Sequence, residues 1–519
     1  MTARIAGVIM RHAVLFLFVF FSPFAVLPSS AQDQPAKALP EYGNVVPREV
    51  EFPGVHSLEE AQSLSRKLEG SGYRTTIRTE VDEEGKSLYR VLALPGAGEP
   101  PGGEPFPPET EPQYSSPEKP SWSLLGRKGS NLHGALTLTG IYTDNAYNTR
   151  DDKKSNFSTL LSPEIWLTVP GISQKTTPVG LAPRAAGGLT FNPPWGEVFR
   201  TYQVFLYYRP DIPLTSSNSY SPYGSSPSHL LATGLLLSGK RLTFRIHDEY
   251  QYSYQEREAD MLVRPSEQDR YNANLFSTGV SYDTLNRLRL DIGYSNFMTD
   301  YRAAQSGFRD RSDNNLFSSA YYRISPKVNL LVEYQYYDIS YDHDSPLDSK
   351  EHYIYTGLQW DITAKTRGYF KLGYSVKKFS QWADSYDSFS YEGQIDYYLT
   401  SKSSLSLNAY QRTYETDIQG TAFSLSNGVS LRFQHMLTPK ITTGLLFAYI
   451  RDQYHGTPQD PTKGSPVEST LYQGGVDLQY AFKRWLKTRL GYLYTTKSSE
   501  DSSLEYTTNM FFFMITGSI

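Results

Sequence analysis

The chain has 519 residues and carries 41 Tyr and 26 Phe, yet only 39% of it is hydrophobic. Its formal net charge of -4 provides no basic field for nucleic acid. The absence of cysteine excludes disulfides, thiol nucleophiles, Cys-ligated zinc and a lipobox. Aromatic richness on a polar background suits a transmembrane β-barrel, where only alternate strand residues face lipid.

In chain order, Arg4 and Arg11 precede the apolar run "AVLFLFVFFSPFAVLP", which ends in Ser29, Ser30 and Ala31. This pattern predicts a signal peptide over 1–31, with Gln32 as the new N-terminus and export from the cytoplasm. Residues 46–95 read as a small α+β periplasmic module. Within it, Ser57 and Glu60 form a capping box ahead of Leu58, Ala61, Leu64 and Leu68 at helical spacing, and "YRTTIRTEV" and "SLYRVLAL" alternate as strands. Residues 96–130, with "PGAGEPPGGEPFPPETEPQYSSPEKP", are too rich in Pro and Gly to build a core and are expected to be a linker.

The module resembles the first half of a sporulation-related repeat (SPOR) domain. The resemblance rests on Ala61, Leu64 and Leu68, on Gly72 and Tyr73 after the helix, and on the Tyr89, Arg90 and Val91 strand. It implies binding to peptidoglycan glycan strands freed of stem peptides. The family's second helix and last strand are missing after Leu94, where the chain turns to proline; a docking site for a periplasmic partner is the alternative.

From residue 131 to 519 the period is two. Leu288, Leu290, Ile292 and Tyr294 oppose Arg287, Arg289, Asp291 and Ser295; Phe370, Leu372, Tyr374 and Val376 oppose Arg367, Lys371 and Ser375. Tight turns at Ser238-Gly239-Lys240, Ser325-Pro326-Lys327, Thr363-Ala364-Lys365, Thr400-Ser401-Lys402 and Thr438-Pro439-Lys440, with Leu285-Asn286-Arg287 and Lys483-Arg484 in equivalent places, recur about every 37 to 47 residues. Long polar loops such as "TDNAYNTRDDKKSN" and "GTPQDPTKGSPVES" fall between them. Short turns face the periplasm and long loops the outside in outer-membrane barrels. The fold expected is therefore an all-β antiparallel transmembrane barrel of about 18 strands, with 16 as the alternative, behind the α+β module. Residues 170–199 are too long for a periplasmic turn and read as an inserted segment or plug, or as a hidden hairpin that changes the count.

Phe511, Phe513, Ile515 and Ile519 alternate at the C-terminus, similar to the strand read by the barrel-assembly machinery, although such strands usually end in an aromatic. Tyr142-Thr143-Asp144-Asn145, Lys154-Ser155-Asn156-Phe157 and Ser162-Pro163 resemble the opening of β-barrel porins encoded with exopolysaccharide clusters. That resemblance implies an outer-membrane channel in or near a polysaccharide export pathway, with polysaccharide and periplasmic export proteins as partners beside outer-membrane lipid. A general diffusion porin or a wall-to-membrane tether is the alternative.

No catalytic, cofactor or metal constellation stands out, so an enzyme is not expected. His247-Asp248-Glu249, the densest cluster, is better explained as a lumen salt-bridge site. By parity Arg245, Arg289, Arg367, Lys371, Arg412 and Arg489 point inward, as do Asp291, Glu333, Asp361, Asp396 and Asp477. Such a lumen could pass a hydrated glycan, because Tyr rings stack on sugars and Arg pairs with carboxylates. Equally, the charges could pair across strands to stiffen the wall.

Overall fold

The computed structural model describes residues 50–51, 73–81, 87–95 and 131–519, the last without 172–177, 195–200, 217–226, 254–269, 285–286, 303, 343–344, 364, 382–384, 417–420, 457–466 and 501. The expected signal peptide, the helix over 57–68 and the Pro-rich linker lie outside these residues. In the N-terminal unit, β1 (Val50–Glu51), β2 (Tyr73–Val81) and β3 (Ser87–Pro95) form an antiparallel sheet in the order β1-β3-β2.

The second unit is a closed barrel of 18 antiparallel strands, β4 to β21, each paired with its sequence neighbour, with β21 closing on β4. The strands are β4 (Leu132–Thr143), β5 (Asn156–Val169), β6 (Tyr202–Ser216), β7 (Ser228–Ser238), β8 (Leu242–Ser253), β9 (Tyr271–Asp283), β10 (Leu288–Tyr301), β11 (Arg311–Ser325) and β12 (Val328–Tyr341). They continue with β13 (Ser349–Thr363), β14 (Thr366–Phe379), β15 (Ser385–Thr400), β16 (Ser403–Glu415), β17 (Phe423–Thr438), β18 (Ile441–His455), β19 (Val467–Lys483), β20 (Leu486–Ser499) and β21 (Tyr506–Ser518). Closure leaves no free edge, which is what a sheet in lipid requires.

Alternation sets the two faces. Leu290, Ile292, Leu330, Val332, Leu372 and Val476 are exposed on the outside, as a lipid-facing band must be. Exposed rings bound this band. Tyr202, Tyr282, Tyr322, Tyr397, Phe482 and Trp485 lie near the short turns, and Tyr142, Tyr294, Tyr334, Tyr374, Tyr472, Tyr494 and Phe511 lie nearer the loops. These are the expected interfacial girdles, because an aromatic ring is apolar in body and tolerant of water at its edge. Ile519 exchanges backbone hydrogen bonds with Gly134 of β4 (2.9 and 3.2 Å), so the closing seam extends beyond β21 to this residue.

Candidate functional site in the barrel lumen

Residues 170–201 connect β5 to β6 at the short-turn end and contain no barrel hairpin among the described residues, so the count is 18 and not 16. Instead, residues 178–194, hereafter the strap, enter the lumen. Leu181, Ala182, Ala185, Ala186, Gly187 and Gly188 are all buried. Two glycines fix the path. Gly187 and Gly188 have φ of 70° and 76°, and a Cβ at Gly188 would lie 2.2 Å from the Phe297 ring. Only glycine combines this backbone conformation with that approach.

The wall holds the strap by its backbone. Glu249 of β8 accepts hydrogen bonds from the amides of Val179 (2.7 Å) and Gly180 (3.1 Å). Asp313 of β11 accepts from Gly187 N (2.9 Å), and Arg311 donates to Ala185 O (3.1 Å) while pairing with Asp313. Arg412 of β16 donates to the carbonyls of Leu189 (2.7 Å) and Thr190 (3.0 Å). Lys371 of β14 donates to Asn192 O (2.9 Å), and Glu392 of β15 accepts from Asn192 N (2.8 Å). In a site closed to water, bonds from ionised groups are each worth about 1.5–3 kcal/mol.

A second element closes the same end. The β15–β16 ladder stops at Tyr391 and Gln411, whereas β16 continues against β17 to Glu415. Freed from β15, residues 412–415 are buried on both faces. Arg412 and Tyr414 meet the strap; Tyr414 donates to Thr190 Oγ1 (3.0 Å), and Ala185 pairs with Tyr414 in an isolated antiparallel bridge. On the other face, Glu415 accepts from Lys377 of β14 (2.7 Å) and Thr413 donates to Glu351 of β13 (2.8 Å). This hairpin tip therefore lies inside the lumen, between the strap and the β13–β14 wall.

Two lysines centre the buried charge. Lys371 sits between Glu333 (2.9 Å) and Glu392 (3.2 Å), and Lys377 between Glu351 and Glu415 (both 2.7 Å). All six side chains are at most 4% exposed. Tyr369 donates to Glu392 (2.6 Å) and Tyr353 to Glu351 (3.0 Å), so the carboxylates' remaining lone pairs are used.

Toward the short-turn end the inward pairs are wetter. Arg367 pairs with Asp396 (3.5 Å) at 22% and 23% side-chain exposure, and Arg489 with Asp477 (2.9 Å) at 24% and 16%. Arg289 pairs with Asp291 (3.3 Å) and lies over the Tyr321 ring at 4.1 Å; Arg245 donates to Ser281 Oγ (2.6 Å). Arg323, Arg432 and Lys487 are further half-buried inward cations at this end. Along β8 to β20 the lumen is thus a cup, packed toward the loops and more accessible to water toward the short turns, whereas the inward Trp166 and Thr168 of β5 stay buried at the short-turn end.

The family described as "Putative beta-barrel porin 2" matches residues 240–517. The chain belongs to that family. The porin is similar in fold to solved outer-membrane proteins. These are OpdK from Pseudomonas aeruginosa (12% identity, 75% of this chain and 99% of that one, TM-score 0.38), OccAB4 from Acinetobacter baumannii (11%, 75% and 98%, 0.40) and a BenF-like porin from Pseudomonas fluorescens Pf-5 (11%, 75% and 99%, 0.41). No curated protein matches the chain.

The structure places Arg245, Arg289, Asp291, Glu333, Arg367, Lys371, Arg412 and Arg489 on the inner face of this porin. Parity did not separate them. Glu333, Lys371 and Arg412 belong to the sealed region and Asp291 is equally buried (1% exposed), while its partner Arg289, together with Arg245, Arg367 and Arg489, is part-exposed toward the short turns. The side chain of Asp361 lies outside the described residues. Within His247-Asp248-Glu249 only the outer two face the lumen (His247 Nε2 to Glu249, 3.4 Å); Asp248 is on the outer face, held by Asn274 (3.1 Å). Sequence reasoning missed Arg311–Asp313, Lys377 and Glu351, which carry the same parity signal. It also missed Glu415, which shares parity with the lipid-facing Leu405 and Leu407 and gave no signal.

Proposed function

We propose that this outer-membrane porin is a channel loaded from the periplasm that passes an exopolysaccharide outward. The observation that carries the reading is the cup: accessible arginines at the short-turn end and a packed loop end. An acidic or hydroxyl-rich chain could be received by the guanidinium groups of Arg245, Arg289 and Arg367 before meeting the closure. A general diffusion porin needs a continuous aqueous path, which a strap and an in-folded hairpin tip oppose.

In this reading the chain begins with a signal peptide (1–31), and the 46–95 module stands in the periplasm behind the 96–130 linker. There it meets peptidoglycan, by its likeness to half a SPOR domain, or an export partner. Sedimentation of the isolated fragment with amidase-treated peptidoglycan supports the first; failure to sediment leaves the second. The family description, a beta-barrel porin, fits a second reading at least as well, general diffusion, and a wall-to-membrane tether is a third.

Deletion of the gene with scoring of surface polysaccharide tests the main reading. Loss of polymer, restored by the wild-type gene and not by a variant carrying Arg245→Glu, Arg289→Glu and Arg367→Glu, is the expected result. Normal secretion in the deletion strain removes export and leaves diffusion or tethering.

A further inference from the structure

Resting on the channel reading, we propose that the strap is a displaceable gate, and that the buried ions beneath it are its latch. A sealed loop end cannot pass a solute, so something within the lumen must move. The rest of what is described at that end is barrel strand, tied on one or both sides by a continuous ladder whose opening would break the sheet, or a connection between two neighbouring strands, such as 144–155 and 304–310. Even the in-folded tip at 412–415 stays paired along β17. The strap is different. Among the described residues it has a single isolated bridge, Ala185 to Tyr414, and no strand neighbour. Its departure leaves all 18 strand pairings intact.

The form of its docking agrees. The wall grips main-chain amides and carbonyls with carboxylates, guanidiniums and an ammonium, and receives a run of small residues, Ala185 to Gly188, against Phe297 and Tyr337. Groups of these kinds also bond water, so release leaves the charges solvated, although it uncovers the apolar seats of Leu181 against Leu275 and Phe297 and of Ala182 and Ala185 against Tyr410 and Tyr414. The strap enters from the periplasmic end, where the solute would arrive, so displacement is coupled to loading from that side. The two lysine-centred clusters keep the wall itself rigid, because their four carboxylates remain paired whether or not the strap is seated.

The cysteine-free chain allows a direct test. Residues facing each other in an antiparallel bridge have Cα atoms about 4.5–5.5 Å apart, within disulfide range. Full-length protein carrying Ala185→Cys and Tyr414→Cys would be folded in detergent, checked by heat-modifiable gel mobility, and reconstituted in planar bilayers in potassium chloride. A second variant would replace residues 178–194 with a short Gly-Ser turn. Gating by the strap gives an oxidised double-cysteine protein locked in a low-conductance state, and an open probability that rises about ten-fold on reduction, as expected when a minor state becomes accessible. The strap-less protein is then open throughout. Equal conductance of the oxidised and strap-less proteins overturns the gate and spares the channel. No conductance from any of the folded proteins overturns both.

Discussion

Two regions of the lumen both carry paired inward charges and obtain different properties from them. From mid-strand toward the loops, Lys371 and Lys377 are sealed between pairs of glutamates at 4% exposure or less; near the short turns, Arg367 and Arg489 face aspartates at 16 to 24% exposure. In the sealed end a lost partner leaves an uncompensated charge with no water to replace it. In the wet end water and salt replace a partner readily, so a pair there contributes little to stability and mostly sets the field that a passing solute meets. Charge is structural at one end and steering at the other.

The largest effect that would sharpen this contrast is expected from Lys371→Ala. It strands Glu333 and Glu392 and removes a bond to the strap, so stability should fall by about 3–5 kcal/mol. This is readable as a lower urea midpoint of the heat-modifiable band. A loss under 1 kcal/mol would mean that water already reaches this site. Gly188→Ala should come next. Its φ of 76° and the Phe297 ring at 2.2 Å from a new Cβ leave no place for a methyl group. The strap should unseat at a cost of roughly 1–3 kcal/mol, accompanied by a larger single-channel current; an unchanged current would dissociate the strap from closure. Arg489→Ala should be smallest in stability, about 0–1 kcal/mol. It should nevertheless move the zero-current potential under a salt gradient toward cation preference, with the shift shrinking as salt rises past roughly 1 M. A large stability loss without a change in selectivity would reverse the roles assigned to the two ends.

Much of the barrel was legible because its signals are local. A period of two, a Ser/Thr-x-Lys turn and alternation of short and long connections are read within a dozen residues, and together they give 18 strands and the inward parity of Lys371 or Arg489. What decides the site is not local. Whether an inward arginine is sealed or wet depends on what lies opposite, and Arg412 meets Leu189 across 223 residues of sequence. Residues 170–199 announced an insertion by length alone, and nothing in their composition names Glu249, Asp313 or Glu392 as acceptors for their amides. Glu415 shows a sharper limit. Parity assigns it to lipid, and it is buried on Lys377 because β16 leaves β15 after Gln411. Alternation describes a residue's face only while its strand stays in the wall.

The most direct test of a lumen closed toward the loops and open toward the short turns is paired cysteine labelling. Ser404 and Ser426 face inward on the neighbouring strands β16 and β17; Ser404 is half-buried near the short turns, and Ser426 is 3% exposed toward the loops. With Ser404→Cys and Ser426→Cys made singly in the cysteine-free chain, a charged, membrane-impermeant maleimide should label the first rapidly in folded protein. It should label the second only after unfolding or removal of residues 178–194. Equal labelling of both positions in the folded wild-type background would contradict the closed end.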